Sequence, residues 1–214
     1  MNYDGLIAVL MILGFLAWVA TYALIIKRGF QDKACGMPIV ALCANISWEF
    51  IFGFLHPDLP PMNYINMGWC IVDIVIIFLY LRYGWKTFSQ YFSKPFFFFN
   101  YAVVQTLAFL CILTAFYQFQ DLDGSYTAYA DNIMMSGLFI YWALGKENVD
   151  GQSLYIGLAK LVGTLFISIA QYQVMPDAIF LNYAYVACFV LDSLYVGLLY
   201  SRLKSIGIQP WQRV

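Results

Sequence analysis

The chain has 214 residues, of which 63% are hydrophobic and 11% charged, with a formal net charge of −1. Soluble domains run nearer ~45–50% apolar and ~25% charged, and a soluble core of this size has no room for so much apolar surface. The balance excludes a soluble enzyme, a disordered chain and, with no basic patch for phosphates, a nucleic-acid binder; it leaves a polytopic membrane protein.

A helix needs roughly 20 apolar residues to cross a bilayer. Seven stretches qualify, in chain order about 6–26, 34–55, 64–81, 95–117, 126–145, 153–174 and 180–200. The connections are short and polar, without internal repeats or linkers. Residues 1–214 therefore read as one all-α domain, a polytopic membrane protein of seven transmembrane helices. The first stretch follows Met1-Asn2-Tyr3-Asp4, which lacks the positive start of a signal peptide, and it is too long for that peptide's apolar core. It reads as a retained span.

Ten of the eleven cations fall in one set of connections: Lys27, Arg28 and Lys33; Arg82, Lys86 and Lys94; Lys146; Arg202, Lys204 and Arg213. The other set carries Asp4, Asp58, Asp121, Asp123, Asp177 and the single histidine, His56. The positive-inside rule places the N-terminus outside and the C-terminus in the cytoplasm, with Trp85 and Trp211 as anchors near the inner interface. The five cysteines, Cys35, Cys43, Cys70, Cys111 and Cys188, are scattered and read as buried small hydrophobes.

Five ionisable residues interrupt the spans: Glu49, Asp73, Asp131, Lys160 and Asp192. A charge near the bilayer centre costs ~2.5–3.5 kcal/mol on insertion scales, so such residues face the bundle interior and mark function by default. At ~1.5 Å per residue, Glu49 lies about 9 Å below the outer end of the second span, with Asp131 at similar depth on the fifth. Asp73 and Asp192 fall near the middle of the third and seventh spans, and Lys160 in the inner half of the sixth. The acids are thus placed to line a cavity open towards the outer leaflet. An unpaired acid there is neutral and a usable proton donor, whereas Lys160 keeps a partner ionised, either Asp192 or Asp73.

Helical spacing adds neighbours. Asn45 and Glu49 are i and i+4, as are Trp69 and Asp73, and Phe189, Asp192 and Tyr195 succeed one another at steps of three. Aromatic faces attract cations, more strongly where water is excluded. A proton-donating acid in an aromatic-lined apolar cavity suits protonation of an alkene or epoxide and guidance of the resulting carbocation.

The second span reads Asn45-Ile46-Ser47-Trp48-Glu49-Phe50 and runs on to His56-Pro57. The third carries Trp69-Cys70-Ile71-Val72-Asp73 and ends in Arg82-Tyr83-Gly84, and the seventh carries Leu191-Asp192-Ser193-Leu194-Tyr195. Together these resemble the small integral-membrane terpene cyclases of fungal meroterpenoid and indole-diterpene pathways, such as those of paxilline and pyripyropene, with bacterial relatives that cyclise prenylated indoles. The resemblance covers nearly the whole chain. It implies a metal-independent enzyme of isomerase or lyase type, without a cofactor, that cyclises a farnesyl or geranylgeranyl chain attached to an aromatic, polyketide or indole group. The resemblance makes Glu49 and Asp192 the essential acids, one protonating the epoxide or alkene. Trp48, Trp69, Phe189 and Tyr195 become candidate cation stabilisers, and Asn45 and Asp73 supporting partners. It assigns no role to Lys160.

No metal site is indicated. The Asp121/Asp123 pair reads as a solvated turn, and one histidine with dispersed thiols makes no zinc site. The implied partners are a prenylated hydrophobic small molecule and the lipid bilayer, with no nucleic acid and no obligate protein partner. The membrane is the endoplasmic reticulum for a fungal host, or the inner or plasma membrane for a bacterial one. The competing readings are a proton-coupled transporter, which lacks the expected repeat between halves, a seven-helix receptor-like protein, for which the last span lacks a Schiff-base lysine, and a structural scaffold.

Overall fold

A computed structural model describes residues 3–145 and 148–214, apart from the side chains of Tyr3 and Thr87. Met1, Asn2 and Lys146 lie outside the described residues. Every regular element among the described residues is helical. Its long elements are α1 (Tyr3–Asp32), α2 (Ile39–Phe50), α3 (Met62–Leu79), α5 (Lys94–Phe119), α6 (Ser125–Gly145), α7 (Leu154–Val174) and α8 (Ile179–Ser205), with a short α4 (Trp85–Phe88). Two of them widen into π-helical turns, α2 at Ile51–Leu55 and α3 at Tyr80–Gly84.

The local chemistry explains the ends. Pro38 in an extended conformation starts α2, which therefore begins at residue 39 rather than 34. Ser93 precedes α5 with Pro95 in its first turn, and Gln120 ends that helix in the left-handed region at φ 53°. Ser153 caps α7 by accepting from the Ile156 N–H at 3.3 Å. Asp121 is buried rather than solvated. Its carboxylate accepts from the backbone N–H of Tyr126 (3.1 Å) and Thr127 (2.8 Å) and from Thr127 Oγ1 (2.7 Å), so it caps the start of α6.

Among the described residues, five segments are long and apolar enough to cross a membrane: Asp4–Asp32, Met62–Gly84, Lys94–Phe119, Leu154–Val174 and Ile179–Ser205. Ile39–Leu55 is apolar but shorter, and α6 carries a polar side that includes Asp131, Asn132 and Ser136. Polarity is inverted relative to a soluble protein. Glu49, Asp73, Asp131, Ser136, Lys160 and Asp192 are buried, while Ile12, Leu16, Phe99, Leu107, Tyr141 and Val186 are exposed. Hydrocarbon is the solvent such a surface matches.

Helix α1 lies against α7 at a crossing of small residues. A Cβ on Gly14 would sit 2.7 Å from Ile167, and one on Gly163 would sit 2.9 Å from Trp18. Helix α8 packs on α6 and α7, and α2 packs between α3 and α5. Gly197, a small residue in the seventh predicted span, makes no close contact; Gly157 of α7 is the tight point, against Tyr195. Four cysteines are buried, but Cys111 is exposed on α5. Trp211 is exposed, whereas Trp85 packs edge-on against Phe97 instead of standing free as an anchor. At that end of the bundle Asp32 joins distant segments, accepting from Arg28, from Arg213 at 2.7 Å and from the Gly151 N–H at 2.9 Å.

Candidate active site

One cavity of about 400 Å³ opens among α1, α2, α3, α6 and α7. Its wall is mostly apolar and aromatic, with Phe15, Trp18, Tyr22, Trp48, Trp69 and Tyr129 among its rings. Trp69 holds the centre of one side, 5.4 Å edge-on from Phe15 and 4.8 Å from the Tyr22 ring. Trp48 is aimed from the other side by its indole N–H, which reaches the Gly124 carbonyl and Thr127 Oγ1 at 3.1 Å each. Gly124 is required there. Its φ is +67°, and a Cβ would lie 2.7 Å from the Phe52 ring and 2.8 Å from Trp48.

Polar groups enter this wall in two clusters. In the first, the Asn45 amide nitrogen donates to Glu49 Oε1 (2.7 Å), to Asp73 Oδ2 (2.9 Å) and to the Tyr22 hydroxyl (2.6 Å). Two N–H hydrogens serve three acceptors, so at least one is shared. The i, i+4 spacing of Asn45 and Glu49 makes their bond, and helix packing brings Asp73 and Tyr22 to it. Glu49 lines the cavity, and its Oε2 is buried without a hydrogen-bond partner. Asp73 stands behind Asn45, away from the cavity wall, with Oδ1 likewise unpaired.

The second cluster lies between α6, α7 and α8. Lys160 Nζ donates to both Asp192 oxygens (2.8 and 2.9 Å), to Asn132 Oδ1 (2.9 Å) and to Ser136 Oγ (2.7 Å). The lysine thus pairs with Asp192 rather than with Asp73. Lys160 and Asp192 side chains are each 1% exposed. Asn132 continues to Thr164 Oγ1 at 3.2 Å, and both of these line the cavity. The ammonium also sits 5.6 Å from the Trp18 ring centroid.

The structure therefore brings Asn45, Trp48, Glu49 and Trp69 to one cavity with Asp73 directly behind. Asp192 does not line it and reaches its wall only through Lys160 and Asn132. Phe189 is 45% exposed on the outside of α8. Tyr195 is buried, donates to Gln152 Oε1 and is not part of the wall. Asp131, one of the acids the sequence placed towards the cavity, lines its wall, and residues beyond the predicted set complete the site: Trp18 and Tyr22 of α1, Asn132 of α6, and Thr164 of α7. The adjacent Asp131-Asn132 pair was a visible signal; Tyr22 was indistinct among 17 tyrosines.

The mouth is polar. Asn66, on the wall, donates to Asp58 at 2.8 Å in the loop before α3. Burial pushes the Asp58 carboxyl above its ordinary value, against the opposing effect of that hydrogen bond. His56 is not at the cavity: its ring stacks on Phe116 at 4.5 Å, and Nε2 bonds the Tyr117 hydroxyl at 2.8 Å.

A helical bundle with lipid-compatible flanks is an integral membrane protein, and this one sets an acid in the wall of an aromatic cavity. The chain belongs to the Pyr4-like transmembrane terpene cyclases, whose family profile matches residues 2–204. It is 30% identical over 190 residues to the Pyr4-family terpene cyclase mfmH of Annulohypoxylon moriforme, covering 82% of this chain and 73% of that protein. It is 26% identical over 158 residues to the asnovolin H synthase nvfL of Aspergillus novofumigatus (72% and 65% covered). With the terpene cyclase olcD of Penicillium canescens it shares 26% over 157 residues (69% and 61% covered). The matched region thus spans less than two thirds of the latter two relatives. No solved structure matches the chain.

Proposed function

We propose that the chain is a membrane terpene cyclase of seven spans, N-terminus outside and C-terminus cytoplasmic, that closes rings in a farnesyl or geranylgeranyl chain carried on an aromatic, polyketide or indole group. The observation that carries this reading is Glu49, whose unpartnered Oε2 belongs to a carboxyl on the wall of an aromatic cavity. At about 400 Å³ the cavity falls within the range of small-molecule sites.

The reaction is non-redox. Neutral Glu49 protonates a terminal epoxide oxygen or alkene carbon, and the chain folds onto the resulting cation. Trp18, Trp48, Trp69 and Tyr22 present the rings that stabilise positive charge as it moves. Asn45 fixes Glu49 through Oε1, and Asp73 and Tyr22 hold Asn45. Asp192 acts at a distance, through Lys160, on Asn132 and Thr164. The trigger is a proton, and no step of this route calls on a metal.

The test is a product assay in isolated membranes with farnesylated and geranylgeranylated aromatic substrates, with and without a terminal epoxide, under EDTA. Wild type forms an isomer of unchanged mass. Glu49→Gln, which keeps an oxygen for Asn45 but has no proton to give, loses about 100-fold or more, the minimum expected of a general acid. Turnover by Glu49→Gln at the wild-type rate refutes the assignment.

A further inference from the structure

The cavity wall holds a second carboxyl, Asp131, to which proton donation by Glu49 gives no task. It is 8% exposed, and its Oδ1 is buried with no hydrogen-bond partner. Asp192 differs on each count. Both of its oxygens are taken by Lys160, and it does not reach the cavity. A buried carboxyl oxygen without a partner is costly unless something in the cavity compensates it; a positive charge in the cavity supplies that compensation and holds the otherwise neutral acid in its carboxylate form. Its sequence neighbour Asn132 is locked by Lys160 at 2.9 Å and by Thr164 at 3.2 Å, so α6 presents Asp131 from a fixed stretch of backbone.

We infer that Asp131 is the proton acceptor that ends the cyclisation, facing the terminal carbocation across the cavity shared with Glu49. This rests on the cavity being the cyclisation site and adds a second catalytic residue to it. In the closing step the C–H bond beside the cationic carbon breaks. Its electron pair becomes the π bond of the product alkene, and the proton passes to the Asp131 carboxylate. The proton given by Glu49 is matched by the one Asp131 takes, so substrate and product share one formula. When product leaves, Asp131 releases its proton to water and Glu49 regains one.

The test uses the full chain purified in detergent micelles and two probes. N,N-dimethylfarnesylamine is cationic at neutral pH and mimics a prenyl cation; farnesyl methyl ether is its neutral counterpart. Affinity is read from quenching of tryptophan fluorescence. Wild type prefers the amine. Asp131→Asn weakens the amine by roughly thirtyfold or more, the lower end for removing one partner of a buried charge pair, and leaves the ether unchanged. Asp131→Glu keeps the preference. Unchanged amine binding in Asp131→Asn overturns the inference, and so does a parallel loss of both probes, which marks a structural role. Loss of the preference in Glu49→Gln instead makes Glu49 the ionised group and overturns it too. If wild type binds neither probe, the cavity reading itself fails and this inference with it.

Discussion

Replacing Lys160 by methionine probes the second cluster most sharply. The ammonium is 1% exposed and is the partner of a carboxylate that is also 1% exposed. Removing one member of such a pair costs about 3–5 kcal/mol, because the other is left as an uncompensated charge. The hydrogen bonds to Asn132 and Ser136 add little, since such bonds in a membrane average about 0.6 kcal/mol each. Lys160→Met is therefore destabilised by about 3–5 kcal/mol. The double change Lys160→Met with Asp192→Leu removes both charges and returns to within about 1 kcal/mol of wild type. Unfolding by sodium dodecyl sulfate in mixed micelles, monitored by tryptophan fluorescence, measures wild type, Lys160→Met, Asp192→Leu and the double variant. A Lys160→Met cost below about 1 kcal/mol, or additive single and double costs, would refute the pairing argument.

The first cluster and the seat of Trp48 give two further outcomes. Asn45→Leu strips the shared donor from Glu49, Asp73 and Tyr22; it should cost about 1–3 kcal/mol of stability and lower product formation in the membrane assay even at saturating substrate. Gly124→Ala forces a side chain onto a left-handed backbone and into Phe52 and Trp48; a loss of about 1–3 kcal/mol, with a shifted Trp48 emission, is the expected result in the same unfolding assay.

The helices were legible because apolar runs and alternating polar connections are local signals. Their ends were less so, as at Pro38, where the apolar run continues but the helix does not. The first cluster was half legible: Asn45 and Glu49 share a helix face by spacing, and their meeting with Asp73 and Tyr22 depends on how α1, α2 and α3 pack. The Phe189–Asp192–Tyr195 series shows the limit of spacing. Each step of three falls about 60° short of a full turn, so a stripe centred on a buried Asp192 leaves the core at Phe189. Which acid Lys160 meets was undetermined by depth alone, since Asp73 and Asp192 sit at comparable levels. The role of Asp121 was hidden because a carboxylate beside a glycine turn looks the same whether it is solvated or caps the next helix.

The π-helical stretch Ile51–Leu55 begins two residues after Glu49. An α-helix advances about 100° per residue, so the number of residues in this wide turn fixes the rotational phase between its upstream and downstream flanks. Upstream lie the acid, its amide and Trp48. Downstream lie His56, docked on Phe116 and Tyr117, and Asp58, which clasps Asn66. Gly53 lets the turn press against the start of α3, where a Cβ would meet the Met67 nitrogen at 3.1 Å. Losing or gaining one residue here would turn the His56–Asp58 segment by about 100° relative to Asn45, Trp48 and Glu49. The turn works as an indexing device: its length sets which loop groups meet Asn66 and Phe116 and leaves the residues upstream in register.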